Sequence, residues 1–201
     1  MPRVAIGLEY DGRDFEGWQA QTHRRTVQDA VEQALSNVAA APIAVVCAGR
    51  TDSGVHAAVQ VVHFDTNVIR PLGAWVRGAN ANLPNSIAVR WAIEVDDQFH
   101  ARFSAKARRY RYILLNRSVR SALHHGKVGW FHTLLDVEAM QKATSLLTGE
   151  HDFSAFRAAE CQAASPIRNL AQACVERYDE WIIFEFEANA FLHHMVRNMV
   201  G

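Results

Sequence analysis

The stretch IAVVCAGRTDSGVHAAVQVVHF, residues 43–64, sets two apolar runs around a polar turn. IAVVC (43–47) and AVQVVHF (58–64) read as strands, being short, rich in β-branched residues and bounded by turn formers. Between them, AGRTDSGVHA (48–57) gathers Arg50, Thr51, Asp52 and Ser53 with two glycines, Gly49 and Gly54. A plain hairpin connection needs little more than an Asn and a Gly. The glycines permit sharp backbone geometry. A strand–turn–strand unit of this kind projects a side chain from a firm base.

Working outward, VAIGLEY (4–10) alternates and reads as a strand, and DGRDFEGWQAQTHR (11–24) reads as a loop anchored by Phe15 and Trp18. Thr26 to Ala40 is the clearest helix. Val27, Ala30, Val31, Ala34, Leu35 and Val38 fall on one face at helical spacing. Thr26 suits the N-cap, Asp29 favours the first turn, and Pro42 prevents continuation. A second helix is expected over Pro71 to Ala81, and SIAVRWAIEV (86–95) is a further strand. The resulting order, β-α-β-β-α-β, is the ferredoxin-like pattern. It yields an antiparallel sheet with helices on one face.

The second half partly repeats this order. ARRYRYILL (107–115) is a strand, a helix starts at Asp136 and runs to about Leu147 before Gly149, and LAQACVERY (170–178) with WIIFEFEA (181–188) forms a hairpin turned at Asp179-Glu180. FLHHMVRNMV (191–200) begins a helix that stops in mid-pattern at Gly201, which reads as an incomplete domain. The expected architecture is α+β: two fused halves, 1–100 and 101–201, sharing a continuous, mostly antiparallel sheet. The second half is expected to be truncated at its C-terminus.

Composition sets limits on function. Hydrophobic residues make up 49% of the 201-residue chain, ample for a core, and Lys+Arg and Asp+Glu both total 21, so global charge favours no nucleic-acid partner. The cations are nonetheless unusual: only Lys106, Lys127 and Lys142 are lysines, and six arginines lie between Arg102 and Arg120. Arginine forks phosphates and stacks on bases. Such a stripe equally suits a charged strand edge. Cys47, Cys161 and Cys174 are odd in number and form no C-x-x-C, so they read as reduced thiols in a reducing compartment. No secretory signal or membrane-length apolar run is present, which makes the cytoplasm the expected location.

Asp52 can serve as nucleophile or base, or can simply satisfy its own turn. His56 and His63 match no common zinc spacing, and His193 and His194, read as helical neighbours, would point apart. No metal is therefore expected. No phosphate-binding glycine motif opens a helix, so no nucleotide cofactor is expected either. Tyr110 and Tyr112 share one strand face and Arg109 and Arg111 the other. A strand tyrosine can stack on a base or pack in a core. Arg197, in the apolar run HMVRNMV, is either at the surface or paired with a carboxylate. An RNA-binding module without catalysis and a metal-dependent hydrolase remain alternative readings.

YDGRDFEGWQAQ, RTVQ, GRTDSGVHA, QVVHF, FHARFSAKARRYRY and FLHHMVRNMVG, in that order, resemble the successive signatures of the TruA family of tRNA pseudouridine synthases. The resemblance implies ferredoxin-like (RRM-like) halves with a central RNA-binding cleft. It implies an isomerase (an intramolecular transferase) that converts uridine to pseudouridine at positions 38, 39 and 40 of the tRNA anticodon stem-loop. Asp52 matches the family's catalytic aspartate. Arg50 matches the arginine that displaces and holds the target nucleotide, Tyr110 the tyrosine that stacks on its base, and Arg197 the arginine paired with the carboxylate. A cytoplasmic homodimer without metal or organic cofactor is implied. Ser53 stands where Ala is frequent and Met199 where Ile is frequent, and family members continue past HMVRN.

Overall fold

The computed structural model describes residues 1–201 as two compact units, Met1–Ala105 and Lys106–Gly201. The first contains β1 (Arg3–Tyr10), α1 (Val27–Ala39), β2 (Val46–Cys47), β3 (Ala57–Asp65), α2 (Leu72–Asn82) and β4 (Ile87–Val95). Its sheet runs β2-β3-β1-β4 with every pairing antiparallel. That order follows from two interleaved β-α-β passes, as the sequence pattern implies.

Alternation along β1 places Val4, Ile6, Leu8 and Tyr10 in the core, where they join Val27, Val31 and Leu35 of α1 and Trp75 and Ala79 of α2. Each such aliphatic side chain contributes about 1.5–3 kcal/mol on burial. Thr26 caps α1 through its hydroxyl, which accepts from the Asp29 N–H, and Ala40 ends it in the left-handed region at φ 53°.

One strand is shorter than expected. Only Val46 and Cys47 are assigned to β2, while upstream the Ile43 N–H donates to Ser36 Oγ and the Val45 N–H to Glu32 Oε1. In the β2–β3 register these two N–H groups face away from β3, so side chains of α1 satisfy donors on the outer edge of this segment. Ile43 and Val45 are still buried, so their hydrophobicity reports the core rather than the strand.

The second unit contains β5 (Arg108–Asn116), β6 (Gly129–Phe131), α3 (Val137–Ser145), β7 (Gly149–Asp152), β8 (Ile167–Tyr178), β9 (Trp181–Ala188) and α4 (Met195–Val200). Its sheet order is β6-β5-β9-β8-β7, antiparallel except for β5 with β6. The run β5-β9-β8 reproduces β1-β3-β2 of the first unit. Phe184, Phe186 and Ile182 of β9 meet Leu170 and Val175 of β8, with Phe153, Leu192 and Met195 completing the core.

The α+β class and the mostly antiparallel pairing are as expected. The first unit carries the four-stranded sheet and the second the five-stranded one. β6 and β7 were not anticipated: GWF and GEHD are too short to show alternation. α3 ends at Ser145, and Gly149, at φ 107°, opens β7 instead of closing the helix.

Candidate active site

The loop carrying Asp52 follows β2 and precedes β3. Its base continues the ladder, since the Ala48 N–H donates to Val61 O at 2.8 Å, and the Gln60 side chain donates to the Gly49 carbonyl. Beyond that point the loop is held by residues 10–18. The Tyr10 hydroxyl lies 2.7 Å from Thr51 Oγ1, and the Trp18 N–H donates to Thr51 O at 2.9 Å. Phe15 O accepts from the Gly54 N–H at 3.3 Å and from Ser53 Oγ at 3.4 Å. Phe15 and Trp18 are buried, so these acceptors and donors sit on anchored residues.

Two glycines of the facing segment allow this approach. A Cβ on Gly12 would stand 2.1 Å from Val55 O, and one on Gly17 would stand 3.0 Å from Thr51 O at a φ of 94°. At Asp52 the turn closes through the main chain: the Val55 N–H donates to the Asp52 carbonyl at 3.1 Å, with Gly54 at φ 77°. Asp52 is half-buried, whereas Arg50 is exposed and in no ion pair.

Electrostatics beside the loop centre on Asp11. Its carboxylate receives the Arg13 side chain and also faces His56 Nδ1 at 3.1 Å. The Arg13 hydrogen bond, against some desolvation, lowers its pKa from 3.8 to about 2. The Gly12 N–H donates to the same His56 nitrogen at 3.2 Å. Burial raises the pKa of the Cys47 thiol, and the charge of Arg50 opposes this. All three cysteines are unpaired, as expected.

In the second unit Tyr110 lies on the core side of β5, half-buried, with its ring edge-on to Phe191 at 4.9 Å. Tyr112 meets Phe184 in the same manner at 6.1 Å. Arg109 and Arg111 take the opposite face, as alternation requires, but they are not available as an open phosphate stripe. They stand directly across from Glu187 and Glu185 and pair with them at 2.6 and 2.5 Å. Arg117 pairs with Glu180 at 2.8 Å, and Arg102 lies 5.6 Å from the Phe103 ring. Sequence reading missed this ladder because its glutamates are some seventy residues away on another strand.

Arg197 lies exposed on α4. That helix begins at Met195, not at Phe191, because His194 takes a left-handed conformation at φ 59°. His193 and His194 are therefore not helical neighbours pointing apart; their ring centroids are 3.9 Å from each other. Of the residues singled out, Asp52 and Arg50 share one loop of the first unit, and Tyr110 and Arg197 belong to the second.

Comparison with known proteins agrees with these motifs. The sequence model of a family described as tRNA pseudouridine synthase matches residues 8–104 and 143–201. A protein of Dechloromonas aromatica named tRNA pseudouridine synthase A is 61% identical over 199 residues, covering 99% of this chain and 76% of the relative. One of Thiobacillus denitrificans with the same name is 58% identical over 201 residues, covering 100% and 77%. One of Shewanella frigidimarina is 55% identical over 199 residues, covering 99% and 76%. With a match that takes in the Asp52 loop and α4, the chain belongs to the tRNA pseudouridine synthase family.

Proposed function

We propose that this protein isomerises uridine to pseudouridine at positions 38, 39 and 40 of the tRNA anticodon stem-loop, with Asp52 as the catalytic carboxylate. Family membership makes it an isomerase acting on tRNA uridine. The observation that carries the assignment to Asp52 is the loop that bears it. That loop is closed by its own main chain and fastened from Tyr10, Phe15 and Trp18, which makes Asp52 a half-buried acid on a rigid mount.

The chemistry conserves every atom except exchanged protons. The C1′–N1 bond breaks, the base turns, C1′ joins C5, the C5 hydrogen leaves to solvent, and N1 takes up a proton. No redox partner or phosphate donor enters this balance. A stacked base hides C1′ and C5, so the nucleotide must leave the stack first. Arg50, exposed and unpaired, is suited to grip the displaced backbone or fill its place. Ionised Asp52 then acts as nucleophile or base. Tyr110 supplies a ring face for the base, and Arg197 a cation for the substrate.

No helix is long and apolar enough to cross a membrane, and a cytoplasmic homodimer needing neither metal nor organic cofactor is part of the same proposal. Tritium release from tRNA labelled at uridine C5 tests it. The proposal expects release to water without added metal or cofactor. Tight tRNA binding with no release would instead favour a non-catalytic RNA-binding module.

A further inference from the structure

We propose that Tyr10 is a positioning residue for Asp52, acting through the Thr51 hydroxyl. The inference rests on Asp52 being the reacting carboxylate. Tyr10 is the last core-facing residue of β1, 4% exposed, and the β1–β3 register shifts between Leu8 and Tyr10. This shift carries the end of β1 under the loop, where the Tyr10 hydroxyl reaches Thr51 Oγ1 at 2.7 Å. The Tyr10 ring lies 6.1 Å from that of Trp18, whose N–H holds the Thr51 carbonyl at 2.9 Å.

Thr51 is therefore gripped at its side chain and its carbonyl by two buried aromatic residues outside its own loop. The next residue is Asp52, whose carbonyl in turn accepts from Val55. Contacts on both sides of residue 52 restrict the torsions that aim its carboxylate. Catalysis depends on such restriction, because misplacing a reacting group by about 1 Å can cost roughly a hundredfold in rate. A phenyl ring at position 10 would fill the same core volume. The hydroxyl is thus the part of Tyr10 that packing does not require, and the bond to Thr51 gives it a role. A purely structural account would have that bond only satisfy a buried polar atom.

Steady-state kinetics, melting temperature and tRNA affinity of Tyr10→Phe, Thr51→Val, Thr51→Ser and the double variant Tyr10→Phe/Thr51→Val separate the two accounts. Positioning predicts that Tyr10→Phe and Thr51→Val each lower kcat about tenfold with KM within about twofold. Thr51→Ser, which keeps the hydroxyl, stays near wild type, and the double variant is no slower than the slower single one. The inference is overturned by a Tyr10→Phe kcat within twofold of wild type. It is equally overturned by independent losses that multiply, or by Thr51→Ser falling as far as Thr51→Val. Should Tyr10→Phe fail to fold, the Thr51 pair, on a half-buried loop, decides alone. Asp52→Asn is measured in parallel. An active Asp52→Asn removes the reading on which the inference rests, whereas an inactive Asp52→Asn beside a full-rate Tyr10→Phe removes only the inference.

Discussion

Arg50 and Arg111 are both exposed, yet they meet different surroundings. Arg50 projects from a loop whose hydrogen bonds are made by backbone, hydroxyls and buried aromatics, and no carboxylate pairs with it. Arg111 stands on a regular strand opposite Glu185, and Arg109 beside it stands opposite Glu187. Cross-strand pairs of opposite charge stabilise a sheet modestly, by about 0.2–1 kcal/mol each. The same side chain is thus a ladder rung in one unit and an open donor in the other. Clustering in sequence reports neither; the neighbour across the strand decides.

The largest expected difference between loop and ladder is at Gly12. In Gly12→Ala the new Cβ would stand 2.1 Å from the Val55 carbonyl, a backbone atom, so the loop segments must separate. Overpacking of this kind costs about 1–3 kcal/mol, and urea unfolding should show it together with loss of tritium release. Arg111→Ala, by contrast, should shift stability by no more than about 1 kcal/mol. Equal shifts would mean that the loop is no more constrained than the ladder.

Next in size is the response of tRNA binding. Arg50→Ala should weaken affinity about tenfold at low salt and reduce the salt slope by about one. Arg111→Ala should change both little, because Glu185 already neutralises that charge. Affinity titrations at several salt concentrations read the contrast, and the reverse ranking would relocate the phosphate contact to the ladder.

A smaller effect concerns acid. Asp11 is held low mainly by Arg13, with a pKa of about 2 against an ordinary 3.8. A carboxylate depressed on folding stabilises the native state fully above its ordinary pKa and loses that contribution as pH falls toward the folded value. The urea midpoint of wild type minus that of Asp11→Asn should therefore be flat from pH 7 to 5 and shrink between about pH 4 and 2. A constant difference across that window would show that Arg13 does not hold the charge. Smallest of all, Tyr110→Phe keeps the ring and should bind tRNA within about twofold. A tenfold loss would assign the contact to the hydroxyl.

Much of the first unit was legible in the sequence. The 3.6-residue spacing of Val27, Val31 and Leu35, bracketed by Thr26 and Pro42, predicts α1 almost to its ends. The runs around residues 48–57 place the Asp52 loop between two strands, and Phe15 and Trp18 stand out as anchors. What stayed hidden depends on contacts distant in the chain. The Tyr10–Thr51 bond joins residues 41 apart, and β1's alternation points Tyr10 inward without saying what its hydroxyl meets. Whether Arg109 and Arg111 are open or paired depends on the β5–β9 register, which no local pattern fixes. The Ile43–Ser36 and Val45–Glu32 bonds that tie the segment before β2 to α1 likewise join residues no local pattern connects.

The role of Asp52 is read from a map of pseudouridine in tRNA treated with the wild-type protein and with Asp52→Asn, alongside tRNA affinity for both. If Asp52 is the reacting carboxylate, wild type forms pseudouridine at positions 38, 39 and 40 and Asp52→Asn forms none, at affinities within a few-fold of each other. Pseudouridine formed by Asp52→Asn at a rate near that of wild type would contradict it.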